Sequence, residues 1–164
     1  MKIFLLIAFG QLISLIGSHM TGFALGLRIY EQEQSVTLFA LVSFATLMPE
    51  IVLGAFLGPL IDRWNRRTIL IVGNLGAGIG TLFLIYLNTY HELNVFYIIC
   101  LVALSSSFNA LIFPAFMAAT TSLVKSEKLG QANGLVQLGA AISQIAAPAI
   151  AGFVVTFWGL SGVL

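Results

Sequence analysis

The sequence predicts an all-α integral membrane protein, and three observations favour this fold class. Of the 164 residues, 59% are hydrophobic and only 8% are charged, whereas roughly a quarter of the residues in a soluble domain are charged. The mean hydropathy is +1.04. The apolar residues also form runs that reach the length of about 20 residues needed to cross a bilayer. Because hydrocarbon offers no partner to a backbone amide, these runs are expected to be helices.

Five transmembrane helices are predicted, with short polar segments between them. We expect them at about residues 3–29, 36–61, 68–90, 94–124 and 130–157. The segments between them hold most of the charge, as in DRWNRR and KSEK. The first apolar run is similar to a secretory signal, but it continues well past the ~7–15 residues of a signal core. We therefore interpret it as a retained membrane span.

The basic residues predict how the five helices are oriented. In an alternating five-helix topology, only Arg28 lies near one face. The other basic residues lie at the opposite face: Lys2, Arg63, Arg66, Arg67, Lys125 and Lys128. An excess of lysine and arginine marks the cytoplasmic side of a membrane. The sequence thus predicts a multi-pass protein of the cell (plasma or inner) membrane with a cytoplasmic N-terminus.

Several classes of function find no support in the residues. The formal net charge of +1 gives no reason to expect a nucleic acid partner, and no cluster of His, Cys, Asp or Glu has metal-ligand spacing. The single cysteine, Cys100, has no partner for a disulfide or a metal site. The glycine-rich run Gly73–Gly80 lies inside an apolar helix, so it does not predict a dinucleotide site. We expect neither an enzyme nor a bound cofactor.

The segment between the second and third helices, GPLIDRWNRR, concentrates charge in an otherwise apolar chain. Its arginines are consistent with a simple topology anchor, but Asp62 is not, because acidic residues contribute little to orientation. Gly54 and Gly58 have the spacing that lets two membrane helices approach closely. Asn65 tolerates a positive φ better than most residues do. The segment therefore predicts a tight turn between two packed helices.

This segment resembles the signature of the major facilitator superfamily, G-x-x-x-D-R-x-G-R-[RK], in the loop between its second and third helices. Asn65 replaces the inner glycine, and the matching positions are Gly58, Asp62, Arg63, Arg66 and Arg67. FGQLISLIGSHMTGFAL and KSEKLGQANGLVQLGAAISQIAAPAIAG are similar to the drug and siderophore exporter branch of that family. Macrolide-efflux proteins and the enterobactin exporter belong to that branch.

The resemblance implies a fold of twelve helices in two six-helix halves, with one substrate path between the halves. Residues 1–164 would then form an incomplete N-terminal half, and the missing C-terminal half would be its partner. The resemblance also implies a cytoplasmic gate latch, in which Asp62 meets a helix N-terminus of the other half and the arginines pair with acids on neighbouring helices. Pro148 and Gly152 partly match the helix-packing motif in the fifth helix of antiporters, with alanines at Ala147 and Ala151 in place of two glycines.

Polar residues within the predicted spans are candidates for binding a proton or a substrate. Glu50 follows Pro49 near the middle of the second span, where an ionised side chain costs at least a few kcal/mol. It is therefore expected to carry a proton, either for coupling or as a structural hydrogen-bonding group. His19, in the first span, is a weaker candidate that packing alone explains.

Two helices carry polar stripes at helical spacing, which place the residues on one face of each helix. The first has Gln11, Ser14, Ser18 and Thr21, and the fifth has Asn133, Gln137, Gln144 and Pro148. Asn109 adds a polar group in the fourth span. Both stripes are expected to face the bundle, to line a cavity or to join helices by hydrogen bonds. Many proton-coupled relatives carry an arginine where this chain has Ser105, so coupling would depend on Glu50 or on the missing half.

Taken with the resemblance, these residues predict the N-terminal portion of a secondary active transporter. It would export an amphipathic small molecule, such as an antibiotic, drug or siderophore, by alternating access and with proton coupling. Its expected partners are that substrate, the proton and the lipid bilayer. Two alternatives stay open, namely a non-transporting membrane scaffold or regulatory subunit and an uptake permease.

Overall fold

The computed structural model contains five long α-helices. It describes residues 2–90, 94–159 and 163, except for the side chains of residues 2, 55, 58–63 and 88–90. The helices are α1 (Lys2–Glu33), α2 (Val36–Arg63), α3 (Arg66–Tyr90), α4 (Val95–Leu123) and α5 (Leu129–Trp158). A 3-10 turn, Ser126–Lys128, joins α4 to α5. All five are long and apolar enough to cross a membrane, which confirms the predicted fold class.

Helix α1 continues four residues beyond its predicted end, through polar residues that were expected to form a loop. The segment is rich in Glu and Gln, which favour helix even where no packing supports them. The helix stops before Gln34, which has a φ of 50°. The Nε2 atom of Gln34 donates a hydrogen bond to the Glu31 carbonyl at 3.0 Å. Hydrophobicity therefore marks where the membrane ends, but not where the helix ends.

Helix α4 lies at the centre of the bundle. Helices α2 and α3 each pack along α4, and α1 packs against α5 and α2. The sequence predicts that α2 and α3 pack against each other, but among the described residues both helices pack mainly on α4. The glycines of α3 explain the difference, because a Cβ atom at Gly73 or Gly76 would collide with Ile112 or Phe108 of α4. A Cβ at Gly54 of α2 would meet nothing within 4 Å.

The turn between α2 and α3 uses Asn65 as a helix cap. Its Oδ1 atom accepts a hydrogen bond from the Arg67 amide at 3.0 Å, and its carbonyl accepts one from the Ile69 amide. Asn is among the best residues at a helix N-cap. Asn65 does not adopt the positive φ that asparagine tolerates, since Gln34 is the one non-glycine residue in the described ranges with that conformation.

Apolar clusters hold the two ends of the bundle together. At one end, Leu25 and Ile29 of α1 are fully buried in the cluster that contains Val42 and Ile98. At the other end, the ring of Phe4 stacks on that of Phe116, with centroids 6.1 Å apart and planes tilted by 2°. Many large apolar side chains are exposed on the outside of the bundle, which is the arrangement expected of a surface in contact with lipid. The polar residues of α1 lie between the two end clusters.

Candidate functional site

A cavity of about 910 Å³ is formed by α1, α2, α4 and α5. All six polar candidates from four different helices line it: Gln11, His19, Glu50, Asn109, Gln137 and Gln144. Most of the remaining wall is apolar, with Phe9 and Leu12 from α1 and Phe113 and Leu135 from the helices opposite. The arrangement combines a hydrophobic wall with a few polar groups, as small-molecule sites do.

Each helix contributes one face to this cavity. On α1, Gln11, Leu15 and His19 follow one another at intervals of four residues, which places them on the same side of the helix. On α5, Gln137, Ala140 and Gln144 follow at intervals of three and four residues, which also places them on one side of the helix. Part of each predicted polar stripe meets at this cavity, because α1 and α5 pack against each other. These residues are Gln11 and Ser14 of α1 and Gln137 and Gln144 of α5.

Helix α4 forms part of the cavity wall and contains a proline. Pro114 lies within α4, and both Pro114 and Ala110, four residues before it, line the cavity. Helix α5 also contains a proline, Pro148, placed four residues after the cavity residue Gln144. Both helices continue for several residues beyond these prolines.

Glu50 supplies the one carboxyl group among the described residues that line this cavity. Gly54 lies one turn further along α2 and also borders the cavity. Since a Cβ at Gly54 would have no neighbour within 4 Å, the glycine leaves space beside the Glu50 side chain. His19 is the one basic group that the described part of the chain adds to the wall. A proton or a cation entering the cavity would therefore meet Glu50 as its acidic partner.

A second cavity of about 530 Å³ lies mainly between α1 and α3 and shares part of its wall with the first. Ser14, His19, Glu50 and Asn109 border both cavities. The second is otherwise lined by many small polar groups: Ser18, Thr21, Thr46, Asn74, Thr81, Ser105 and Ser106. Ser18 and Thr21, predicted to belong to the α1 stripe, therefore face this cavity rather than the larger one.

Asn74 is a polar residue of this region that the sequence interpretation missed. The Ser14 Oγ atom donates a hydrogen bond to Asn74 Oδ1 at 3.2 Å, and Asn74 Nδ2 donates to the Leu70 carbonyl at 2.8 Å. The pair joins α1 to α3 within the membrane. An asparagine in the apolar run TILIVGNLGAG was the available signal, because polar side chains in such runs usually bond to another helix.

Two buried polar atoms have no hydrogen-bond partner within the described residues. They are Ser105 Oγ of α4 and Asn133 Oδ1 of α5. Ser105 borders the second cavity and lies against Gly80 of α3. Asn133 was predicted to share the polar stripe of α5, but it borders neither cavity.

Arg66, at the start of α3, binds the end of α4. Its Nη1 atom donates hydrogen bonds to the Ala118 carbonyl at 2.7 Å and to Ser122 Oγ at 2.6 Å, with a longer contact of 3.4 Å to Thr121 Oγ1. The resemblance implied an acidic partner, and Arg66 instead binds neutral oxygens. The C-terminal end of a helix carries partial negative charge, which stabilises a cation there.

Most of the remaining residues of the predicted gate latch have side chains that the structure does not describe. Arg67 is exposed on the first turn of α3, and the side chains of Gly58, Asp62 and Arg63 are not described. A contact between Asp62 and another half of the protein therefore stays a prediction.

The packing motif of α5 involves its alanines. Ala147 and Ala151 are fully buried, whereas a Cβ at Gly152 would meet nothing within 4 Å. The two alanines that replace the glycines of the family motif therefore form a packing face of α5. The packing role predicted for Pro148 and Gly152 stays a prediction.

A metal centre has no candidate in residues 2–90, 94–159 and 163. Within these ranges, no group of three or more His, Cys, Asp or Glu could hold a metal ion. Cys100 is exposed on α4. The chemistry of the site is therefore that of neutral hydrogen-bonding groups with one carboxyl and one imidazole.

The chain has five helices able to span a membrane, and four of them surround a largely apolar cavity with a few polar groups. Residues 7–164 match the family described as the Major Facilitator Superfamily, and the chain belongs to that family. It is thus a multi-pass membrane protein of a transporter family, and not an enzyme.

The chain is similar to named transporters of this family. It is 30% identical to macrolide efflux protein A of Streptococcus pyogenes over 155 residues, which cover 94% of this chain and 38% of that protein. It is also 30% identical to macrolide efflux protein A of Enterococcus faecalis, over 75% of this chain and 38% of the relative. An uncharacterised MFS-type transporter of Bacillus subtilis (strain 168), YfiS, is 28% identical over 75% of this chain and 28% of that protein.

The chain spans little more than a third of the length of the macrolide efflux proteins that it matches. No solved structure shows significant similarity to it.

Proposed function

We propose that this chain forms the N-terminal portion of a secondary active transporter that exports amphipathic small molecules by alternating access. Family membership supports transport, and the similarity to macrolide efflux proteins supports export. In transporters built from repeats, the substrate lies near the middle of the membrane between two units that move relative to each other. The cavity would supply one wall of that site, and the other half of the transporter would supply the opposite wall.

The observation that carries this proposal is the position of Glu50 among five other polar residues on an otherwise apolar wall. A volume of about 910 Å³ is in the range of roughly 300–1,000 Å³ found for small-molecule sites. The apolar wall suits the hydrophobic body of a substrate, and the Gln and Asn side chains suit its hydroxyl or carbonyl groups. An amphipathic molecule matches both features.

Glu50 would couple export to the movement of protons. An ionised carboxylate in hydrocarbon costs at least a few kcal/mol, so Glu50 is favoured as the neutral acid when the cavity is closed to water. Opening to water makes the ionised form accessible and releases the proton. The excess of basic residues on one side supports a cytoplasmic N-terminus and a gate at the signature turn.

A vesicle assay of the full-length transporter tests this role of Glu50. A fluorescent amphipathic drug would be added outside inside-out vesicles with an acidic interior, and its proton-driven accumulation in the vesicles would be measured. We expect Glu50→Gln to lower accumulation by at least tenfold, because one proton-transfer group contributes about 10²–10⁴-fold in other proteins. Glu50→Asp keeps the carboxyl group and should retain a measurable part of the activity.

The same assay distinguishes the alternatives. Equal accumulation by wild type and Glu50→Gln would remove proton coupling from Glu50. Net movement in the opposite direction would indicate an uptake permease. Normal membrane insertion without transport in either direction would indicate a scaffold or regulatory subunit.

A further inference from the structure

Two basic segments that are far apart in the sequence lie together at one end of the bundle. Arg67 is exposed on the first turn of α3, and Lys125 and Lys128 are exposed between α4 and α5. The bond from Arg66 Nη1 to Ser122 Oγ, at 2.6 Å, brings the start of α3 to the last turn of α4. Since Lys125 follows Ser122 by three residues, all three exposed cations lie at this end. We call Arg67, Lys125 and Lys128 the basic rim.

The basic rim lies at the depth where lipid headgroups are found. Trp64, in the turn between α2 and α3, has 56% of its side chain exposed, and exposed Trp residues concentrate at the membrane–water boundary. Helix α4 ends at Leu123, just before the two lysines. Both basic segments therefore lie at the same depth, at the boundary between the apolar part of the membrane and water.

The surface beneath Arg67 is apolar and exposed. Ile71 and Leu75 follow Arg67 at intervals of four residues, so the three side chains lie on one face of α3. The side chain of Ile71 is 47% exposed and that of Leu75 is 60% exposed. A cation at the end of an exposed apolar stripe matches a molecule that has an anionic head and a hydrocarbon tail.

Charge balance at this end also favours an anion. Among the described side chains of the turn and of the segment between α4 and α5, Glu127 is the one acid, against four cations. Arg66 already binds oxygens of α4. An anionic headgroup at the basic rim would therefore lie in a field of net positive charge.

We infer that the basic rim binds the headgroup phosphates of anionic phospholipids, with an acyl chain lying along Ile71 and Leu75. Exposed lysine and arginine residues beside an anionic leaflet each strengthen binding by roughly fivefold. The apolar stripe distinguishes this site from one for a soluble anion, which would gain nothing from Ile71 and Leu75. The inference is independent of the proposed transport function, because neither the basic rim nor Ile71 borders either cavity; Leu75 also borders the second cavity.

Native mass spectrometry of the purified full chain tests the inference. Phosphatidylglycerol and phosphatidylcholine with identical acyl chains would compete for the protein, and the retained lipids would be counted. We expect wild type to prefer phosphatidylglycerol. We expect R67Q/K125Q/K128Q to lose that preference by roughly a hundredfold, or about fivefold for each single variant.

Two variants control for folding and for overall charge. R67K/K125R/K128R keeps the charges and should keep the preference, and R28Q removes one positive charge near the opposite end and should also keep it. If the triple glutamine variant loses its helical circular dichroism, the three single variants decide the result. The inference would be overturned if the glutamine variants kept the wild-type preference for phosphatidylglycerol, or if R28Q lost that preference to the same extent. Displacement of the lipid by glycerophosphoglycerol, the soluble headgroup, at equal concentration would also overturn it.

Discussion

Arg66 and Ser122 are joined by a hydrogen bond of 2.6 Å, although 56 positions separate them in the sequence. The same guanidinium nitrogen donates to the Ala118 carbonyl, so the turn that carries the family signature is fixed to the central helix. The contact uses the C-terminal end of α4 as its acceptor, where the helix carries partial negative charge. One signature arginine therefore has a partner within this chain.

Replacing Arg66 with alanine should destabilise the chain. Hydrogen bonds to charged groups contribute about 1.5–3 kcal/mol, and we expect Arg66→Ala to lower the free energy of unfolding by a value near the lower end of this range. Denaturation of the purified chain by sodium dodecyl sulfate, followed by circular dichroism, measures the change. Arg67→Ala is the matched control, because Arg67 is exposed, and it should change the free energy by no more than about 0.5 kcal/mol. Equal losses in the two variants would contradict the specific role of Arg66.

The glycines of α3 provide a test of its packing against α4. A methyl group at Gly76 would collide with the ring of Phe108, whereas one at Gly78 would meet nothing within 4 Å. We expect Gly76→Ala to lower the free energy of unfolding by about 1–3 kcal/mol, as overpacking does. Gly78→Ala should leave it unchanged or raise it, because alanine favours helix over glycine. The same denaturation experiment measures both, and a greater loss at Gly78 would show that another face of α3 packs on α4.

Thiol labelling in cell membranes tests which face of α5 meets water. In a Cys100→Ala background, a cysteine replacing Gln137 would line the larger cavity. One replacing Ile145, which has 78% of its side chain exposed, would lie outside the cavity. We expect a membrane-impermeant thiol reagent to modify Gln137→Cys on the order of tenfold faster or more, because the reactive thiolate forms in water. A faster reaction at Ile145→Cys would contradict this arrangement, because it would mean that position 145 is open to water and that the cavity is not.

The positions of the helices could be predicted from the sequence because each crosses a solvent that excludes charge. The runs near Ile3 and Val36 contain few polar groups, and their lengths match the bilayer. The membership of the site was also predictable in part. Gln11 and Ser14 on α1, and Gln137 and Gln144 on α5, belong to the predicted stripes and line the larger cavity, because a membrane favours the burial of polar stripes.

The contacts between helices were harder to predict, because the spacing of small residues shows that a helix has a close neighbour but not which one. The spacing of Gly76 and Gly80 indicates close packing, yet the sequence does not reveal that Phe108 and Ser105 of α4 fill the space beside them. Gly54 has the same spacing to Gly58 and opens onto a cavity.

Local hydrogen bonds produced the other differences. Asn65 can adopt a left-handed conformation or cap a helix, and propensity alone does not choose between these roles. The amide of Arg67 needs an acceptor at the start of α3, which favours the cap. Asn74 lies among glycines whose spacing indicates packing, and that spacing does not reveal its hydrogen bond to Ser14 of the α1 stripe.

Two prolines, one in α4 and one in α5, change the main-chain hydrogen bonding beside the larger cavity. Proline has no amide hydrogen, so Pro114 and Pro148 leave the carbonyls of Ala110 and Gln144 without the donor that an ordinary helix supplies. Both of those residues line the cavity. Main-chain acceptors of this kind do not depend on side-chain identity, so substitutions in the cavity wall would leave both carbonyl groups without an amide donor from their own helix.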